Sequence, residues 1–399
     1  MREKYGPALP PEAIVEEPAD PLPTQETACL QGHDGPILAV RFNRTGTYCL
    51  TCGKDRTLRL WNPHRGVHIK TYAGHGYDVR DVCVSSDNSK LASCGGDRSV
   101  FSWDVATGRI IRKFRGHDGV ANSIAYAASD EVLVTGGYDQ AIRMWDCRSR
   151  SFEPIQTMKN FGDAVTSVAV ADSVQVLGGS VDGTVRRFDV RMGMMFTDTL
   201  HQAVTGIAVS HDGNCVLASC LDNSMRLLDK ASGEQLASYT GHTHQELKLD
   251  CAFTCSDAHV VSGSEDGLVC FWDLVEETMV HQIQAHQSAV CSIAIHPEAK
   301  CIVTASNDGS AKVWHPPTAI GCHNLMELLP LPLGLTAIFE LRFWTARLYS
   351  LEQISLNCNS DCAAEAFQEL VRLLIRVNIN HDKPDISRTI HALTAHLNY

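Results

Sequence analysis

Long apolar segments are missing from this chain of 399 residues. A membrane-spanning helix needs about 20 mostly apolar residues. The nearest candidate, residues 328–339, is too short and is interrupted by Pro330, Pro332 and Gly334. We therefore expect no membrane-spanning segment and no membrane partner.

Glycine-rich phosphate loops are also absent, because neither a GxGxxG nor a Walker-type motif occurs. We therefore expect no cofactor and no small-molecule substrate. Basic residues are outnumbered as well, 34 against 46 acidic residues, for a net charge of -12. This balance argues against extended nucleic-acid binding, although it does not exclude a local basic patch.

The 16 cysteines show no strong metal-binding pattern. A zinc site needs two close pairs, or one pair plus histidines. The closest pairs are Cys49 with Cys52, Cys251 with Cys255, and Cys358 with Cys362. We interpret the first two pairs, which lie in predicted strands, as core thiols and expect no metal. The N-terminal sequence has no apolar signal-peptide core, so we expect reduced cysteines in the nucleus and cytoplasm.

One aspartate recurs at nearly constant spacing along the chain. Intervals of 42, 42, 43, 40, 44 and 42 residues separate Asp55, Asp97, Asp139, Asp182, Asp222, Asp266 and Asp308. A period of about 40 to 45 residues with GH and WD signatures is typical of a four-stranded propeller blade. Seven copies therefore predict an all-β, seven-bladed β-propeller of WD repeats.

Five copies add a histidine, a hydroxyl residue and a tryptophan to the aspartate, and the fourth and fifth copies lack the full set. The five sets, called tetrads here, are His33, Thr51, Asp55, Trp61; His75, Ser93, Asp97, Trp103; His117, Thr135, Asp139, Trp145; His242, Ser262, Asp266, Trp272; and His286, Thr304, Asp308, Trp314. An indole N–H, a hydroxyl, an imidazole and a carboxylate can form one hydrogen-bonded chain. Five repeats of that chain indicate a structural network and not a nucleophilic active site, so we predict no enzymatic activity.

The predicted propeller spans residues 24–317. Pro316 and Pro317 follow the last tryptophan strand and cannot donate to a sheet, so residues 24–31 are predicted to supply the outer strand of the seventh blade. Residues 1–23 hold six of the 15 prolines and an acidic excess, which predicts disorder.

Residues 318–399 do not continue the repeat. Two amphipathic helices are predicted there, over 360–377 and 385–397, either docked on the propeller or forming a partner-binding appendage. A third interpretation is that this segment reflects an uncertain gene boundary.

Several segments resemble one WD-repeat family, the family named for the mitogen-activated protein kinase organizer, which is also counted among spliceosomal WD-repeat proteins. The resemblance rests on YCLTCG at 48–53, LWNPHRG at 60–66, KFRGH at 113–117, WDCRSR at 145–150 and SVDGTVRRFDVRMG at 180–193. It implies a non-enzymatic scaffold of splicing complexes or, alternatively, of a mitogen-activated protein kinase cascade. It transfers no partner-binding residue.

Propellers commonly bind partners at the face that carries the histidine loops and the aspartate turns, called the Asp-turn face here. Candidate partner-binding residues on it are Leu38, Arg80 and Asn122 near the histidine loops, and Lys54, Tyr138, Leu221 and Glu265 directly before turn aspartates. Their alternative interpretation is ordinary loop residues. The expected partners are proteins of a multiprotein complex, with any RNA contact indirect.

Arg148, Arg150 and Arg191 follow the ends of tryptophan strands, or of the strand in that position, and are predicted on the opposite face. They form either a basic patch for RNA or an acidic partner, or solvated strand ends. The sequence WDCR at 145–148 also looks like the WDxR motif of substrate receptors in cullin-type ubiquitin ligases, which keeps that function as a further alternative.

Overall fold

The computed structural model describes residues 22–127, 129–171 and 174–317. They form seven separate four-stranded antiparallel sheets, and the predicted all-β, seven-bladed propeller is confirmed. The predictions made for residues 1–23 and 318–399 lie outside the described residues, apart from residues 22 and 23.

The strands are numbered in chain order, and blades one to four take them in fours, from the inner to the outer strand. Blade one contains β2 (Ile37–Phe42), β3 (Cys49–Gly53), β4 (Thr57–Asn62) and β5 (Val67–Ala73). Blade two contains β6 (Val79–Val84), β7 (Lys90–Gly95), β8 (Ser99–Asp104) and β9 (Ile110–Arg115). Blade three contains β10 (Ala121–Tyr126), β11 (Val132–Gly137), β12 (Ile142–Asp146) and β13 (Gln156–Met158). Blade four contains β14 (Val165–Ala171), β15 (Gln175–Ser180), β16 (Thr184–Asp189) and β17 (Met194–Thr199).

The remaining blades follow the same order, except that the last one takes its outer strand from the start of the described chain. Blade five contains β18 (Val204–Val209), β19 (Cys215–Cys220), β20 (Ser224–Asp229) and β21 (Gln235–Thr240). Blade six contains β22 (Cys251–Phe253), β23 (His259–Gly263), β24 (Leu268–Asp273) and β25 (Met279–Gln284). Blade seven contains β26 (Val290–Ile295), β27 (Ile302–Ser306), β28 (Ser310–His315) and β1 (Gln25–Gln31).

Strand β1 closes the ring by pairing antiparallel with β28, from Gln25 opposite His315 to Gln31 opposite Ser310. A strand from the beginning of the described chain therefore completes a sheet built from its end. Closure of this kind leaves no gap between the first and last blades, where an inner sheet face would otherwise meet water.

Burial decreases outward within each blade. The second strand of blade one, with the sequence CLTCG, is buried at every residue, whereas its outer strand VHIKTYA is mostly exposed. The apolar cores lie between neighbouring blades. The core between blades one and two, for example, packs Leu50 and Tyr72 against Val82, Phe101 and Trp103. The apolar packing of each blade is thus shared with its neighbours.

The turn between the second and third strands has the same backbone conformation in all seven blades. The residue directly after each turn aspartate has a positive φ, between 59° and 86°. These residues are Arg56, Arg98, Gln140, Gly183, Asn223, Gly267 and Gly309. The aspartate holds the turn by accepting the backbone N–H two residues later, as Asp55 does from Thr57 at 3.1 Å.

Candidate functional site

In blade one the tetrad residues form a continuous hydrogen-bonded chain. Trp61 Nε1 donates to Thr51 Oγ1 at 2.8 Å, Thr51 Oγ1 lies 2.7 Å from His33 Nε2, and His33 Nδ1 lies 2.8 Å from Asp55 Oδ2. The ionised carboxylate only accepts, so the His33 proton is on Nδ1 and Nε2 accepts the hydroxyl hydrogen. Burial alone would raise the pKa of Asp55, but the hydrogen bond and charge interaction with His33 and the hydrogen bonds from Thr57 together outweigh it and lower that pKa to about 2.

The same series of hydrogen bonds occurs in blades two, three and seven. The histidine–aspartate distances are 3.0, 2.9 and 3.0 Å, the histidine–hydroxyl distances 2.8, 2.8 and 2.9 Å, and the tryptophan–hydroxyl distances 2.8, 2.8 and 3.0 Å. The four hydroxyl residues, Thr51, Ser93, Thr135 and Thr304, have no exposed surface. A hydroxyl that receives an indole N–H and is sealed from solvent has no access to a substrate, so these groups stabilise the blades.

The tetrad predicted for blade six is not formed among the described residues. Trp272 Nε1 donates to the carbonyl of Thr240 at 2.9 Å, and the Ser262 hydroxyl donates to the next carbonyl of its own strand. Neither ring nitrogen of His242 has a hydrogen-bond partner within the part of the chain that the structure describes. The segment between His242 and Asp266 is two residues longer than in the other tetrad blades, so the histidine does not meet that aspartate.

The longer loop of blade six is organised by Glu265 instead. Its Oε1 accepts the backbone N–H groups of Gln245, Glu246 and Leu247 at 2.9, 2.7 and 2.8 Å. Burial would raise the pKa of Glu265, but these three hydrogen bonds lower it below its usual range. Glu265 was predicted as a partner contact, and the structure gives its carboxylate a role within the chain.

Blades four and five, which lack the tetrad, use an arginine four residues after the turn aspartate. In blade five the guanidinium of Arg226 lies 2.6 Å from Asp222 Oδ2 and donates to the carbonyl of Leu200 at 2.6 Å. In blade four Arg186 lies 3.3 Å from Asp182. The arginine therefore connects the turn to the preceding loop, where blades one, two, three and seven use histidine.

A cavity of about 230 Å³ opens on the Asp-turn face. It is lined by Leu38, Lys54, Asp78, Arg80, Leu247, Lys248, Cys291 and Asn307. Three of the predicted partner-binding residues, Leu38, Lys54 and Arg80, are thus brought together. Lys54, Arg80 and Lys248 outnumber the acidic Asp78, so this cavity is a basic site on an acidic protein.

Sequence reasoning missed Lys248. Its Nζ donates to the carbonyl of Asn122 at 3.1 Å, which links the blade-six loop to blade three, while the Asn122 side chain donates to the carbonyl of Val165 at 2.9 Å. The only signal was the two-residue lengthening of the blade-six loop. The loop sequence did not indicate that Lys248 would lie at the cavity.

Two tyrosines stand out on the Asp-turn face. Tyr138, predicted as a partner contact, is 67% exposed, and Tyr77, which sequence reasoning missed, is 66% exposed in the loop before blade two. Leu221 is only partly exposed. The signal for Tyr77 was an aromatic residue two positions after a tetrad histidine.

The three arginines predicted on the opposite face are all exposed. Arg148 and Arg150 follow β12, and Arg191 follows β16. The guanidinium of Arg148 lies 3.0 Å from Glu131 and 3.6 Å from Asp146. These carboxylates compensate part of the positive charge that the sequence assigned to this patch.

Comparison with known proteins places the repeats in a family. The model of the nucleolar protein 10-like N-terminal domain matches residues 53–256, and the WD domain, G-beta repeat, matches residues 24–62 and 277–315. WD repeat domain-containing protein 83 of Rattus norvegicus is 58% identical over 300 residues, which is 75% of this chain and 95% of the rat protein. The Homo sapiens protein of that name is 56% identical over 293 residues, 73% of this chain and 92% of its own length.

The chain belongs to the WD repeat domain-containing protein 83 family. The relationship extends beyond vertebrates, since a WD repeat domain-containing protein 83 homolog of Dictyostelium discoideum is 28% identical over 314 residues, 71% of this chain and 96% of that homolog.

The WD repeat domain-containing protein 83 family is built on a fold that is typically non-enzymatic and that serves protein interaction. In this chain the hydroxyl groups of the four formed tetrads are buried and serve the structure of the blades. No helix long and apolar enough to cross a membrane occurs among the described residues.

Proposed function

We propose that this chain is a non-enzymatic scaffold that binds proteins of pre-mRNA splicing complexes through its Asp-turn face, in the nucleus and the cytoplasm. Family membership supports a protein-interaction role. The blade motifs that resemble spliceosomal WD-repeat proteins support splicing complexes as the assembly, with RNA reached only through the protein partners.

The observation that carries the proposal is exposed aromatic area on rigid loops. Tyr77 and Tyr138 expose about two thirds of their surface, and tyrosine is a residue type enriched at interface hot spots. The turn aspartates hold the histidine loops of blades two and three in place. Asp97 accepts the backbone N–H of Gly76 at 3.1 Å, and Asp139 accepts that of Asp118 at 2.9 Å. A preorganised loop loses little conformational entropy when it binds.

The neighbouring cavity adds charge selectivity. Lys54, Arg80 and Lys248 line it, although the whole chain carries a net charge of -12. A basic cavity on an acidic protein favours partners that present an acidic segment and disfavours basic ones. The Asp-turn face therefore offers aromatic contacts beside a site for carboxylates.

Affinity purification of the full chain with mass spectrometry tests the proposal. We expect splicing proteins with the unmodified chain and a loss of about tenfold or more with the double variant Tyr77→Ala and Tyr138→Ala. Tyr48→Ala is the matched control, since Tyr48 is 41% exposed and lies in the turn before β3, on the opposite face. Full retention of splicing proteins by the double variant, or equal loss with Tyr48→Ala, would contradict the use of this face.

The same experiment separates the alternatives. Enrichment of mitogen-activated protein kinases without splicing proteins would favour a kinase scaffold. Recovery of the cullin adaptor, lost on Arg148→Ala, would favour a ubiquitin-ligase substrate receptor, for which Arg148 is sterically available because its side chain is 67% exposed.

A further inference from the structure

Three potential metal ligands meet at the junction of blades one and seven, on the face opposite to the Asp turns. His64 lies in the turn between β4 and β5, Cys301 directly precedes β27, and His315 ends β28. One ligand atom from each residue, two imidazole nitrogens and a thiol sulfur, lies within 4.8 Å of the other two. Cys301 and His315 meet across neighbouring strands of blade seven, where Ile302 pairs with Trp314. His64 is distant in the sequence and joins them only when the ring closes, which is why cysteine spacing did not reveal the cluster.

Hydrogen bonding prepares His315 to act as a ligand. Thr27 Oγ1 lies 2.7 Å from His315 Nδ1 and donates its hydrogen to the carbonyl of Val313 at 3.2 Å. The hydroxyl has one hydrogen, so it accepts the proton carried on Nδ1, and Nε2 is left with a free lone pair. Such a partner on the other ring nitrogen is typical of metal-bound histidines.

His296 lies beside the cluster and is excluded as a fourth ligand. Its ring centroid is 5.6 Å from that of His64, but its Nδ1 accepts the backbone N–H of Glu298 at 3.0 Å. The Nε2 side of the ring faces Gly46, where even a Cβ atom would lie 2.1 Å from Nε2. The donor set is therefore two imidazoles and one thiol.

We propose that His64, Cys301 and His315 bind one Zn²⁺ ion, with water as the fourth ligand. Imidazole and thiolate are the ligands that zinc prefers, and three protein ligands leave one position open. In a tetrahedral site the ligand atoms lie about 3.5 Å apart, so the cluster has to contract by about 1 Å. His64 is exposed and sits in a turn, so its side chain can move inward and give the ion a path from solvent.

Binding replaces the proton on the Cys301 sulfur, so one proton is released for each ion bound. The ion then joins blade one to the second and third strands of blade seven, beside the closing strand β1. The site would therefore stabilise the closed ring. It does not depend on the proposed scaffold function.

Titration of the metal-free full chain with Zn²⁺, followed by calorimetry, tests the proposal. We expect one saturable site and a rise of the Tm of roughly 5 °C at a hundredfold excess of Zn²⁺ over Kd. The variants His64→Ala, Cys301→Ser and His315→Ala are each expected to weaken binding by about 100-fold or more, and Thr27→Val by about tenfold. His281→Ala and Cys29→Ser remove an exposed histidine and an exposed cysteine elsewhere and are expected to bind as the unmodified chain does.

Co²⁺ provides a readout that does not depend on folding of the buried variant. We expect a thiolate-to-cobalt charge-transfer band in the unmodified chain, retained in His281→Ala and lost in His64→Ala. The proposal is overturned if Zn²⁺ shows no saturable site, if His64→Ala and His315→Ala both bind normally, or if bound Co²⁺ shows no thiolate band. In those cases the three side chains only pack against one another.

Discussion

Arg41 Nη1 of blade one lies 2.9 Å from Asp250 Oδ2, which directly precedes the inner strand of blade six. The same guanidinium lies 3.0 Å from Asp81 in blade two, and Ser292 of blade seven donates to Asp250 at 2.6 Å. Arg41, Asp81 and Asp250 line a cavity of about 650 Å³ that opens toward the face opposite to the Asp turns. One cation thus connects blade one both to its neighbour, blade two, and to blade six, with which blade one shares no apolar core among the described residues.

Removing this cation is expected to destabilise the ring. Arg41→Ala removes the guanidinium from beside Asp81 and Asp250, and we expect a loss of about 2 kcal/mol in the free energy of unfolding, below that of a fully buried pair because the Arg41 side chain is 30% exposed. Arg44→Ala, an exposed arginine of the same cavity, is expected to change stability by less than about 0.5 kcal/mol. Denaturant unfolding of both variants is the measurement, and equal values would contradict the ion-pair role.

The pH dependence of that loss follows from the carboxylate. Burial would raise the pKa of Asp250, but the positive charges of Arg41 and Lys248 and the hydrogen bonds from Ser292 and Arg41 together outweigh it and lower the pKa below its usual range. The stabilisation is therefore complete above the unfolded pKa of about 4 and disappears as the pH falls through the lower folded value. The difference between Arg41→Ala and the unmodified chain is expected to shrink below about pH 4 and to stay constant at neutral pH.

The contribution of the tetrads to stability can be tested on their hydroxyl groups. Blade six, in which the predicted tetrad is not formed, provides the comparison. Thr135→Ala leaves the buried indole N–H of Trp145 and Nε2 of His117 without partners, and we expect a loss of about 2–3 kcal/mol. Ser262→Ala removes the corresponding hydroxyl of blade six, which bonds only to a carbonyl of its own strand, and is expected to cost about 1 kcal/mol or less. Similar Tm values for the two variants would show that the tetrad adds little.

The comparison between tetrads shows what the sequence could predict. The fold followed from a period near 42 residues, and four tetrads have the geometry that residue spacing suggested. Blade six differs because two extra loop residues move His242 out of register, and spacing alone does not reveal which alternative partners Trp272 and Glu265 will take. The cavity at Lys248 and the cluster at His315 arise from contacts between blades that are far apart in the sequence, which local patterns do not encode.

His242 gives an expectation on pH that is specific to blade six. Burial, with a smaller effect of His244, lowers the pKa of His242 to about 4. The folded protein therefore contains the neutral ring. The stability of the folded protein is unaffected by this group above the unfolded pKa of about 6.5, and it decreases as the pH falls from there toward 4. We expect His242→Leu to be more stable than the unmodified chain by about 2 kcal/mol at pH 5 and similar to it at pH 7.5.

Thermal unfolding between pH 4 and pH 8 measures this difference. His244 is present in both proteins, so its own titration cancels in the comparison. His281→Leu, at an exposed position, is the matched control and is expected to follow the unmodified chain. A parallel pH profile for His242→Leu would mean that His242 is hydrogen-bonded or hydrated in the folded protein.

The aspartate turns contain strain that glycine relieves. Arg56 and Arg98 have φ values of 66° and 59°, at the position where blades four, six and seven have glycine. A left-handed conformation costs an L-residue about 1–2 kcal/mol, whereas glycine adds about 0.4–1 kcal/mol of entropy to the unfolded chain. We therefore expect Arg56→Gly and Arg98→Gly each to raise stability by about 0.5 kcal/mol. Arg65→Gly is the control, since Arg65 lies in an exposed turn and does not have a positive φ. This variant has no strain to relieve and is expected to lower the Tm. A shift of the Tm of the same sign in all three variants would contradict the strain argument.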